Sequence, residues 1–167
     1  MFTTAQQFID EYSQESAVTQ GLLAVLTDAS LAQVQAEGLH DLGRIAWHIT
    51  SSRCYLLGQT GFEMPDQGHG FPGNLTADMI RANYDMLLER ILQQAATKTE
   101  ADLQVVYRFF DKLDVSLSQM MRMLISHEVH HRGQLSVLMR QAGLPIPGIY
   151  GPNAEATAEM LKQMEQG

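Results

Sequence analysis

The feature that most constrains this chain is one long apolar pattern with helical period, from about Ser116 to Ala142. Met120, Met123, Leu124, His127, His131, Gln134 and Leu138 recur there at three-and-four spacing and would share one inward face. Ser116 is a good N-cap, Gly143 suits the position just past a helix end, and Pro145 and Pro147 prevent continuation. A helix of about 27 residues is about 40 Å long. It can bury such a stripe only against other helices of similar length.

Three further segments carry the same period. Residues 4–27 place Phe8, Ile9, Tyr12, Leu22, Leu23 and Leu26 on one side. Asp41 is an N-cap for a second helix to about Gln59, whose buried side is Leu42, Ile45, Ala46, Ile49, Leu56 and Leu57. Thr76 caps a third, to about Ala96, with Ile80, Tyr84, Leu87, Leu88, Ile91 and Ala95 inward. The connections are long. Gly58–Asn74 holds five glycines and two prolines, and long loops of this kind are often functional. In Lys98–Val115, the run from Val105 to Phe110 is strand-like but has no obvious partner, so an extended segment packed on the helices is expected. Asn153 can cap a short last helix ending near Met164. These signals predict an all-α protein, a four-helix bundle with long connections and a short C-terminal helix, in a single domain over residues 1–167.

Composition narrows the function. A net charge of −8 disfavours nucleic acid and anionic membranes, because both need a basic surface. No apolar run is long enough for a transmembrane helix. The first residues, MFTTAQQFIDEYSQES, lack a basic n-region and an apolar core, so no secretory signal is expected. Cys54 is the lone cysteine, which fits a reducing compartment. A cytoplasmic location is the expectation.

His127 and His131 are four apart and therefore stacked on one helix face, where two imidazoles can grip a divalent ion. Burying both on an apolar stripe is costly unless they are paired or ligated. The third ligand expected is His48, which lies on a polar stripe of the second helix with Asp41, Arg44, Ser52, Tyr55 and Gln59. Three histidines leave a coordination position open for water or substrate, as catalytic zinc sites do. Arg44, Tyr55 and Gln134 are candidate pocket groups. His130 points about 100° away from His131 and reads as a neighbouring or surface residue. His40 reads as exposed, and His69 as a loop histidine outside the ligand set. Cys54 falls on the wrong face to pair with His48. His127-Glu128-Val129-His130-His131 also satisfies H-E-x-x-H, in which the glutamate is a general base. The longer protease form fails at Gln134 and Val137, although Glu155 could supply a downstream carboxylate. Glu128 is thus either a base beside the metal or a solvent-facing glutamate.

Leu42-Gly43-Arg44-Ile45-Ala46-Trp47-His48-Ile49, the element His127-Glu128-Val129-His130-His131-Arg132-Gly133-Gln134-Leu135, and the later Ala142-Gly143-Leu144-Pro145 and Ile149-Tyr150-Gly151-Pro152 together resemble the DinB/YfiT-like superfamily. This is the family of small metal-binding helical proteins, not the DNA polymerase that shares the name. The resemblance spans most of the chain. It implies a bundle with a metal, zinc or nickel, held by His48, His127 and His131, and a homodimer. Some members are thiol-dependent transferases, so it also implies a low-molecular-weight thiol as a second reactant. The reading is a metal-dependent transferase or hydrolase acting on a small electrophilic substrate. The alternative is a non-catalytic, stress-related metal-binding scaffold dimer.

Overall fold

In a computed structural model, which describes residues 1–68 and 70–166, six helices and one small hairpin follow the chain in order. They are α1 (Ala5–Leu23), a 3-10 turn (Asp28–Ala32), α2 (Leu42–Leu57), α3 (Ala77–Ala95), α4 (Glu100–Gln104), β1 (Val106–Phe109), β2 (Leu113–Ser116), α5 (Leu117–Gln141) and α6 (Ala154–Glu165). His69 lies outside the described residues.

The starts of the main helices are set by side-chain caps. Asp41 Oδ1 accepts from the Arg44 backbone N–H at 2.8 Å, and Thr76 accepts from that of Met79. Ser116 and Gln119 close a reciprocal capping box at the head of α5, as Thr4 and Gln7 do for α1. α5 stops where Gly143 takes a φ of +72°, a conformation that a residue with a Cβ rarely adopts.

α1 packs on α3 and α5, and α2 packs on α3 and α5, which closes a four-helix ring. One apolar cluster gathers Phe8, Tyr12, Leu57, Ile91, Leu117 and Leu124, and a second gathers Leu22, Leu42, Ile49, Ile80, Leu135 and Met139. The start of α1 thus meets the ends of α2 and α3 and the start of α5. α2 and α3 therefore run in the same direction. A parallel pair needs a connection that returns along the bundle, and this is the physical reason for the long segment after Gly58.

Between the two apolar clusters lies a charged layer. Glu128 of α5 is 2% exposed and Arg53 of α2 is 1% exposed. Their ion pair measures 2.8 Å. Thr19 donates to the same carboxylate at 2.6 Å, and Tyr84 and Tyr12 hydroxyls complete its shell. Arg132, one turn further along α5, pairs with Glu15 and donates to the Glu15 carbonyl at 2.8 Å. Each of the four long helices contributes to this layer.

Three expectations change. The buried face of α5 runs through Met121, Leu124, Glu128, Arg132, Leu135 and Met139, about one residue around from the stripe read in the sequence. Met123, His127 and His131 lie at its half-buried edge, and Gln134 is exposed. Two charged residues on the inner face disguised it. The strand-like run does find a partner: Val106 pairs with Ser116 and Phe109 with Leu113 in an antiparallel hairpin. Its turn has no glycine, so the usual hairpin signal was missing. The connection from Lys98 also holds the short helix α4, capped by Thr99.

Candidate metal centre

α2 and α5 pack side by side, and that contact brings His48 against His127 and His131. His48 Nε2 lies 3.3 Å from His127 Nε2, and His131 Nε2 lies 3.2 Å from it. All three ligand nitrogens are within 4.8 Å of one another. Donors bound at about 2.0–2.1 Å to a tetrahedral ion sit about 3.3–3.4 Å apart, so the two measured edges fit such an ion. Three neutral imidazoles also suit a borderline divalent cation by donor type. These histidines could therefore hold a metal.

The protein prepares the ligands. Gln134 Oε1 lies 2.7 Å from His131 Nδ1. A carbonyl oxygen only accepts, so this contact places the proton on Nδ1 and leaves the Nε2 lone pair free. Gln134, read in the sequence as a pocket residue, is thus the group that orients His131. Gln134→Leu is expected to weaken metal binding about 10- to 100-fold. Titration against a competing chelator measures this, and an unchanged affinity would remove the role.

Burial chiefly, and then the neighbouring imidazoles of His131 and His48, lower His127 to about 4. His48 and His131 are lowered too, again with burial as the largest cause. An unfolded histidine titrates near about 6.5. Between that pH and about 4 the unfolded chain binds more protons than the folded one. The metal-free protein is therefore expected to lose stability as pH falls through this window. Thermal denaturation at stepped pH checks it, and His127→Asn should flatten the loss.

The histidine wall opens into a cavity of about 810 Å³ between α2, the loop after it, and the hairpin. His48, Ser52 and Tyr55 of the polar stripe line it, as that stripe suggested. Arg44 is not in the wall; its guanidinium lies 5.3 Å over the ring of Phe71, which is. Cys54 reaches the cavity despite its angle from His48, but burial pushes its thiol up to about 11, so it stays protonated. On the other side, His40, His130 and Gln134 line a second cavity of about 620 Å³. Both of these histidines are exposed, and the His130 ring is 4.8 Å from that of His131.

Glu128 requires a correction. It neither lines the cavity beside the histidines nor faces solvent, because its carboxylate is enclosed by Arg53, Thr19, Tyr84 and Tyr12. Burial alone would raise its pKa, but Arg53 and the two hydroxyls of Thr19 and Tyr84 outweigh it and hold the group below its ordinary value. A carboxylate held in this way has no free lone pair for a substrate proton. Glu155, the alternative ligand of the protease reading, is exposed and ion-paired with Arg140. The aromatic side of the cavity, with Trp47, Phe71, Phe109 and Phe110, was missed. Its one signal was the adjacent pair Phe109-Phe110, which reads as ordinary strand propensity until the hairpin is seen.

Fold and site together define an all-α protein with a three-histidine, metal-type centre between two bundle helices. The chain belongs to the DinB family, whose profile matches residues 1–166. It is 36% identical over 160 residues to "Uncharacterized protein YrdA" of Bacillus subtilis (strain 168), covering 95% of each chain. It superposes on the crystal structure of a DinB-like protein from Bacillus cereus ATCC 10987 with a TM-score of 0.85 and 36% identity, covering 90% of this chain and 100% of that one. A second DinB-like structure, YjoA of Bacillus subtilis, gives a TM-score of 0.69 at 19% identity, covering 88% and 99%, and shares the fold. No helix among the described residues is long and apolar enough to cross a membrane.

Proposed function

We propose that this chain is a cytoplasmic, divalent-metal-dependent enzyme in which His48, His127 and His131 bind zinc or nickel. Its reaction joins a low-molecular-weight thiol, or water, to a small electrophile. The observation that carries the reading is the placement of His48 and His127 on the wall of a cavity large enough for a small molecule. A divalent ion supplies Lewis acidity, which lowers the pKa of a thiol or water. The nucleophile gives up its proton, its sulfur or oxygen bonds to the electrophilic carbon, and the leaving group departs with the bonding pair. Gln134 holds His131 in the tautomer that ligation needs, while Tyr55 and Ser52 face the substrate space. A non-catalytic scaffold would be better served by sealed histidines, whereas these are half-buried beside an open cavity.

The same reading includes a homodimer. α6 buries none of its residues and exposes Met160, Leu161 and Met164 along one side, and a short helix needs a packed face to persist.

The test of activity is direct. Metal-loaded protein is incubated with a panel of small thiols and a bimane electrophile, and separately with hydrolysable substrates. Turnover well above that of His127→Ala supports the proposal. Rates equal to the variant's on both panels would overturn it.

A further inference from the structure

Phe110 stands where a hairpin turn normally carries asparagine or glycine. Its φ is +53° and that of the next residue, Asp111, is +55°. A bulky aromatic residue rarely takes this conformation, and such strain concentrates at functional sites. The ring is 53% exposed, so packing in the core does not explain it. It lies 4.3 Å from the Phe109 ring and 5.2 Å from the Tyr55 ring, centroid to centroid. All three line the cavity beside the histidines, as does Phe71. Tyr55, Phe71 and Phe110 are exposed despite their large apolar side chains. Exposed aromatic groups gathered around one cavity mark a binding surface.

Charge narrows the ligand. Among the described residues that line the cavity, Asp66 carries the one carboxylate, and there is no lysine or arginine. Asp66 is exposed in the loop, and the Arg44 guanidinium, 5.3 Å over Phe71, is not in the wall, so the wall offers a charged ligand little to offset its lost hydration. The ligand it favours is uncharged, and aromatic faces select a flat, unsaturated one.

We infer that the electrophilic substrate is a neutral aromatic molecule, stacked between Phe110, Tyr55 and Phe71 with its polar group turned toward His48 and His127. This rests on the proposed function for its consequence, but not for its test. The hairpin turn accepts backbone strain in order to place Phe110 as a specificity-determining residue at the cavity mouth.

The test uses binding to the metal-free protein. Trp47 is the chain's one tryptophan and lines the cavity, so its fluorescence reports occupancy. The probes are 2-acetylnaphthalene, which is neutral, and 2-naphthoate, its anionic counterpart. The neutral probe should bind at least tenfold more tightly. Phe110→Asn should weaken its binding about five- to tenfold while leaving the melting temperature unchanged or higher, because asparagine accepts the positive φ. Phe71→Leu should weaken binding to a similar degree. Equal affinity for the two probes, or unchanged affinity in both variants, would overturn the inference. Metal binding and thiol turnover with aliphatic electrophiles would be untouched by that failure, which separates it from failure of the enzyme reading.

Discussion

Glu128→Ala is expected to destabilise the protein by about 3–5 kcal/mol, lowering the melting temperature by roughly 6–20 °C. The substitution leaves the Arg53 guanidinium, itself 1% exposed, without its carboxylate. Thr19 and Tyr84 lose the acceptor for their hydroxyls at the same time. Breaking one half of a buried pair costs far more than removing both halves, since an uncompensated charge remains. The double variant Arg53→Met with Glu128→Leu should therefore recover much of the loss. Urea and thermal denaturation of the three proteins measure this. A loss below about 1 kcal/mol in the single variant would mean that water reaches Arg53. The result also bears on the site, because Glu128 and Arg132 each follow a histidine of the centre. The charged layer fixes the rotation of α5, and the rotation sets where His127 and His131 point.

The second large effect is stabilisation by metal. An ion that binds only the folded chain adds about 2.7 kcal/mol when free metal is one hundred times its dissociation constant. For a chain of this size that is a rise of roughly 5–11 °C in melting temperature. His127→Ala should abolish the rise. Its metal-free form should melt near the wild-type value, because the side-chain hydrogen bonds of His127 run to His48 and His131 and not to the charged layer, and because burial disfavours its charged form. Thermal shifts with zinc and nickel, each against a chelated control, give the comparison. A rise that survives in His127→Ala would place the stabilising ion elsewhere.

What the sequence disclosed follows from physics with short reach. The helix starts at Asp41, Thr76 and Ser116 were readable because capping is decided within three residues. His48, His127 and His131 were readable because a four-residue spacing fixes one face of α5, and because His48 stood on a polar stripe of α2, a set that the family resemblance also implied. The charged layer was not readable. Glu128 and Arg132 look like surface residues until Arg53, Glu15 and Tyr84 arrive from three other helices, and their burial turned the inward face of α5 from where apolar periodicity had put it. The hairpin was hidden for a related reason. Phe110 and Asp111 occupy positive-φ positions without glycine, so nothing local announced a turn. The residues that defied local rules are those that build the core and the cavity mouth, where tertiary contacts outweigh propensity.

His48, from α2, is expected to join the two histidines of α5 in one metal centre. Elemental analysis of the purified protein, paired with equilibrium metal titration of His48→Ala and Glu155→Gln, tests it most directly. One divalent ion per chain is expected in the wild type and in Glu155→Gln, with affinity lost by at least one hundredfold in His48→Ala. Full binding in His48→Ala with loss in Glu155→Gln would contradict the three-histidine centre and restore the H-E-x-x-H reading.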